Sequence, residues 1–129
     1  MGYRSDVKYI IEFETAEQRE AFLVAARMEA AGNEALTEAL KELVEYTKEH
    51  YADNPTELRL AFDHVKWYDG YPDVDAHHKL MEMAEECEGG SWQFWRVGEE
   101  AGDVEDRSGG EHRNMGGVDI CTTLEWADY

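Results

Sequence analysis

The sequence predicts an α+β domain: a mixed sheet of about four strands with helices packed on one face. Three observations carry this. Apolar residues alternate in short runs, as at Val7, Tyr9 and Ile11 and again at Val118, Ile120, Thr122, Leu124 and Trp126, the period of a half-buried strand. Between such runs lie longer stretches whose apolar residues recur three and four apart, the period of a helix face. The elements follow in the order strand, helix, helix, strand, helix, strand, strand, which argues for helices layered on a sheet. The chain of 129 residues makes one domain, 1–129, rather than two.

Residues 7–14 read as the first strand, rich in β-branched and aromatic side chains. Thr15 and Gln18 have the spacing of a capping box, so a helix starts there and runs to about Ala31. Its apolar face is assigned to Ala21, Phe22, Ala25 and Met28. Gly32-Asn33 ends one helix and caps the next, and Leu36, Leu40, Leu43 and Val44 make one buried stripe up to about His50. Asn54-Pro55 holds a loop open. Leu58, Leu60 and Phe62 alternate, but Val65 and Trp67 fall one residue out of phase, which places a bulge or bend near Asp63-His64. Pro72 suits the opening of a third helix, which runs to about Cys87 with Leu80, Met83, Ala84 and Cys87 inward. Trp92 and Phe94 mark another strand ending at Gly98. Residues 98–117 read as a Gly-rich acidic loop before the last strand.

Composition bounds the function. Hydrophobic residues make up 43% of the chain and aromatic residues 12%, enough to build a core and to argue against disorder. Thirty Asp and Glu face 12 Lys and Arg, for a net charge of −18. That disfavours direct contact with nucleic acid or an anionic membrane, since both need cations against phosphate. It favours solubility, basic partners, or imitation of a polyanion. No apolar run approaches a membrane span and the start lacks the apolar stretch of a signal peptide, so the expected location is the cytoplasm. Cys87 and Cys121 form no C-x-x-C pair and are expected to be free, semi-buried thiols.

Charge also suggests where a partner would sit. Glu34, Glu38, Glu42, Glu45 and Glu49 share one face of the second helix. At about 1.5 Å per residue this row is about 22 Å long, with carboxylates at intervals resembling those of nucleic-acid phosphates. The plainer reading is a solvated helix face, with Lys41 and Lys48 as ordinary partners of Glu38 and Glu45. A second acidic group lies at Glu99, Glu100, Asp103, Glu105 and Asp106, against Arg107. These residues do not follow the calcium-loop pattern of an EF-hand.

Other chemistry finds less support. His77 and His78 are adjacent on a helix and point apart, no H-x-x-x-H pattern occurs, and no metal site or cofactor is expected. The serines lack the glycine pattern of a nucleophile elbow, and no phosphate-binding glycine loop occurs. The chain is therefore expected to be non-enzymatic. Trp67, Tyr68, Trp95 and Arg96 form an alternative ligand site, suited to a flat ligand such as a nucleotide, although core packing also accounts for aromatic residues.

Three segments carry a resemblance: MGYRSDV at the start, VKWYDGYPDV at 65–74 and FWRVGEE at 94–100. Together they resemble a family of small uncharacterised bacteriophage and prophage proteins. These open with MGYRS and an acid, carry W-Y-x-x-[YF]-P-x-V in mid-chain, and have [FR]-x-R-[IV]-G-E before an acidic run. The resemblance rests on these 24 residues and assigns no catalytic role to any of them. It implies a phage accessory protein acting inside a bacterial host. With the charge, the expectation is an inhibitor that covers the basic surface of a host restriction, CRISPR or transcription protein. Two rivals are a nucleotide-binding protein and an accessory domain whose acidity serves solubility alone. An odd strand edge leaves room for a homodimer, which the sequence does not decide.

Overall fold

The computed structural model of the chain describes residues 3–110, 118–120 and 124–126. Four strands form one sheet: β1 (Ser5–Glu12), β2 (Glu57–Val65), β3 (Ser91–Gly98) and β4 (Val104–Gly110), in the order β2-β1-β3-β4. Three helices, α1 (Ala16–Ala30), α2 (Glu34–His50) and α3 (Pro72–Glu86), join them. The fold is α+β, but every neighbouring pair in this sheet is antiparallel, so the expected mixed sheet is corrected. Two helices between β1 and β2 bring the chain back antiparallel. One helix joins β2 to β3, which run parallel, yet β1 lies between them and no parallel ladder forms.

Local signals act as their chemistry requires. Thr15 Oγ1 accepts from the Gln18 amide at 3.1 Å and Gln18 Oε1 accepts from the Thr15 amide at 3.2 Å, closing the start of α1 from both sides. Asn33 Oδ1 accepts from the Leu36 amide at the start of α2. Pro72 occupies the first turn of α3, where its missing N–H costs nothing. The bulge lies where the phase slips: Val7 pairs with Phe62 but Ser5 with Val65. His64 has φ +56° there, in the left-handed region that a side chain disfavours. His64→Gly is therefore expected to stabilise by about 0.5 to 1 kcal/mol and His64→Val to destabilise by about 1 to 2 kcal/mol, as read from denaturant melts.

The main core lies between helices and sheet. Val7, Tyr9 and Ile11 of β1 and Trp92 and Phe94 of β3 pack with Phe22, Leu36, Leu43 and Leu80 from the helices. The other face of the central strands also buries Ile10 and Trp95. A hairpin of β5 (Val118–Ile120) and β6 (Leu124–Trp126) lies beside β1 and β3.

Three further expectations need correction. In α1 the buried residues are Phe22, Leu23, Ala26 and Ala30, while Ala21, Ala25 and Met28 are exposed. Apolar residues surround this helix, so periodicity leaves its phase open, and packing against α2 and α3 selects Phe22, whose ring meets Phe13. The loop expected over 98–117 contains β4, an edge strand whose polar sequence hides its alternation. Its remaining residues, 111–117, lie outside the described residues. The last strand is two short strands, Val118 opposite Trp126 and Ile120 opposite Leu124. Alternation reads the same for one strand or for the two arms of a hairpin.

Cys87 is a free, half-buried thiol after α3. Burial, and then the nearby Glu86 charge, raise its pKa, which disfavours a reactive thiolate. Cys121 lies outside the described residues. Among the described residues no helix is long and apolar enough to cross a membrane.

Candidate functional site

The amphipathic pattern of α2 fixes its acidic face. Leu36, Ala39, Leu40, Leu43 and Thr47 are buried, so their complement points outward. Thr47 anchors the helix: its hydroxyl donates to the Leu43 carbonyl at 2.9 Å and accepts from the Arg59 amide of β2 at 2.9 Å. Glu34, Glu38, Glu45 and Glu49 are all exposed. Among the described residues Glu34, Glu38 and Glu45 make no ion pair, and neither do Lys41 and Lys48. The lysines expected to neutralise the row do not close onto it. Glu49 meets His50, at 3.7 Å.

The second acidic group behaves differently, because much of it is used inside the molecule. Arg96 on β3 binds Asp103 at 2.8 Å and Glu105 at 3.0 Å, and reaches Ser5 Oγ at 3.1 Å. The Tyr3 hydroxyl donates to Asp103, and the Tyr3 amide donates to the Tyr68 hydroxyl. Glu99 accepts from the Arg4 amide. Asp106 remains exposed. The group therefore fastens the start of the chain to the β3–β4 turn. α2 packs over β2, while β4 is the opposite edge of the sheet. The two acidic groups thus do not form one continuous face.

Arg96, and then Tyr3, hold the Asp103 carboxyl below its ordinary range by hydrogen bonding to the ionised form. A lowered carboxyl contributes stability above its unfolded-state pKa and loses it as pH falls through the lowered value. Acid should therefore loosen this corner, and Asp103→Asn should remove that part of the acid dependence. Denaturant melts across the acid range, with Asp103→Asn beside the parent chain, check this.

A third arrangement was not anticipated. The buried Tyr9 hydroxyl lies 2.7 Å from His77 Nδ1, and His77 Nε2 lies 3.3 Å from Glu42 Oε1. An ionised carboxylate only accepts, so Nε2 carries a hydrogen; in a neutral imidazole Nδ1 then accepts from the Tyr9 hydroxyl. Tyr9 and His77 are 0% and 1% exposed. The chain of hydrogen bonds runs from the core to Glu42, at the edge of the acidic face. Burial, and then the Glu42 charge, push the Tyr9 pKa well above that of an ordinary phenol. Glu42 lines a cleft of about 200 Å³ with Phe62, Lys66, Trp67, Asp73 and His77. The Trp67 ring packs against Phe62, His77 and Phe94. Its indole N–H is buried with no acceptor among the described residues.

The sequence singled out His77 only as a poor metal ligand beside His78, and the structure buries it in the core instead. A signal was present: Val74, His77, Leu80, Met81 and Ala84 keep helical spacing, which places His77 on the buried stripe of α3. The alternative set is dispersed. Trp67 lines the cleft and Tyr68 accepts from the Tyr3 amide. Trp95 alternates with Phe94 onto the other face of the sheet, and Arg96 is bound to two carboxylates.

A larger cleft, about 540 Å³, opens where α1, α2 and α3 meet, beside Glu29, Asn33, His78 and Lys79. Burial, and then Arg107, lower the His78 pKa. The lining mixes both charges and converges on no single group. Comparison of the chain with family models, with curated proteins and with solved structures gives no match.

Proposed function

We propose that the protein is a non-enzymatic phage accessory protein that binds a basic nucleic-acid-binding surface of a host protein in the bacterial cytoplasm. Its carboxylates occupy the channel and exclude the nucleic acid. The observation that carries this reading is the α2 face: Glu34, Glu38, Glu45 and Glu49 are exposed in one row, and among the described residues no lysine makes an ion pair with it. The net charge of −18 adds long-range attraction to a basic partner. Ions screen such attraction over about 10 Å at 0.1 M salt, so binding weakens as salt rises. The β3–β4 acids contribute less, because Asp103 and Glu105 are committed to Arg96.

The test is capture from bacterial lysate at low salt, with elution by rising salt. The expected result is one nucleic-acid-handling protein released at moderate salt. Tight retention indifferent to salt would overturn the electrostatic mechanism. If the protein captures nothing and carries a nucleotide after purification, the nucleotide-binding reading replaces it.

A further inference from the structure

We propose that the cleft beside Glu42 receives one arginine side chain of the basic partner, an inference that rests on the reading above. Several observations converge there. Glu42 belongs both to the acidic face of α2 and to the cleft, so the socket lies at the border of the surface a partner would cover. The proton on His77 Nε2 engages Glu42 Oε1, and Tyr9 fixes His77 from the core side. This restrains one carboxylate oxygen, and among the described residues the other accepts no hydrogen bond, so it can meet an incoming donor.

Asp73, exposed in the first turn of α3, supplies a second carboxylate. Phe62 and Trp67, whose rings pack against one another with centroids 6.0 Å apart, supply an aromatic lining. Lys66 also borders the cleft and is exposed. Its flexible stem can carry the ammonium back into solvent.

The guanidinium group fits this lining better than other cations. It is planar, weakly hydrated, stacks on aromatic rings, and presents several donors to carboxylates at once. An ammonium is a compact, strongly hydrated charge and gains less from the aromatic lining. A metal ion fits poorly, because both His77 nitrogens are already engaged. About 200 Å³ holds one extended side chain and excludes a folded segment.

The test uses N-acetyl-arginine amide as the probe and the intact chain as receptor, followed by NMR. The expected result is a saturable shift of the Trp67 indole N–H. Glu42→Gln and Asp73→Asn should each weaken binding by about ten-fold, as befits lost hydrogen bonds to a charged group. Glu17→Gln, which removes one exposed charge on α1, should change it by less than about two-fold, the scale of an exposed charge. Each variant must first keep the dispersed spectrum of the parent. N-acetyl-lysine amide should bind more weakly.

Absence of a saturable shift overturns the inference. So does equal weakening in Glu17→Gln, or lysine amide binding as well as arginine amide. If the probe fails while lysate capture still depends on the α2 row, the socket falls and the polyanion reading stands. If the probe binds but the row is dispensable for capture, the socket stands as an arginine site and the polyanion reading falls.

Discussion

Replacing His77 with Leu is expected to destabilise the protein by about 1 to 3 kcal/mol, the cost of stranding a buried hydroxyl. The Tyr9 hydroxyl is fully buried, and its hydrogen bond goes to His77 Nδ1. Leucine has a similar volume, so cavity formation contributes little. Tyr9→Phe leaves the buried His77 Nδ1 without its partner and should also destabilise, by about 0.5 to 1.5 kcal/mol. Removing both polar partners together leaves an apolar contact. The double variant should therefore be more stable than the sum of the single losses implies, by about 1 kcal/mol or more. Denaturant melts of the four proteins measure this coupling. Additive losses would show that the hydroxyl and the imidazole do not depend on one another.

The same pair makes an alkaline prediction. The Tyr9 pKa is raised by burial and by Glu42. A raised folded-state pKa contributes stability that is complete below the unfolded value, about 10 for a phenol, and is lost as pH rises through the folded value. Tyr9 should therefore stay protonated while exposed tyrosines ionise, and Tyr9→Phe should lessen the loss of stability at high pH. Phenolate absorbance and melts along one alkaline series read both effects.

The second large effect concerns the acidic row. Changing Glu34, Glu38, Glu45 and Glu49 together to Gln should weaken the captured partner by about 1 to 4 kcal/mol, taking an exposed pair at about 0.2 to 1 kcal/mol. Each factor of ten in affinity corresponds to about 1.4 kcal/mol. The fold should be untouched, since all four residues are exposed on the side of α2 away from its buried stripe. The effect should shrink as salt rises. Unchanged binding across this variant would assign the acidity to solubility alone.

The parts of the fold legible in the sequence are those set by neighbours in the chain. Thr15 with Gln18, Asn33 with Leu36, and Pro72 act within one helical turn, so their residue types announce the helix starts. The phase slip before Val65 announces the bulge because strand periodicity is strict. The phase of α1 was not legible, because Ala21, Val24, Ala25 and Met28 offer an apolar face as plausible as the buried one. Strand direction also depends on which strands become neighbours, a choice made by the whole chain.

The candidate site divides in the same way. Helical spacing alone assembles the α2 row. It could not show that Lys41 and Lys48 stay off the row, or that Arg96 engages Asp103 and Glu105 across the β3–β4 turn. The Tyr9–His77–Glu42 chain joins residues from β1, α3 and α2, with 68 and 35 positions separating its hydrogen-bonded pairs. Only the buried spacing of His77 hinted at it, and that hint named neither partner.

The central claim is that this protein and nucleic acid compete for one basic surface. The direct measurement takes the protein captured at low salt, loads it with fluorescent nucleic acid, and titrates in this chain while following anisotropy. The expected result is complete displacement, at concentrations that rise with salt and rise further for the four-Gln variant. A ternary complex, with the nucleic acid still bound at saturation, would contradict it.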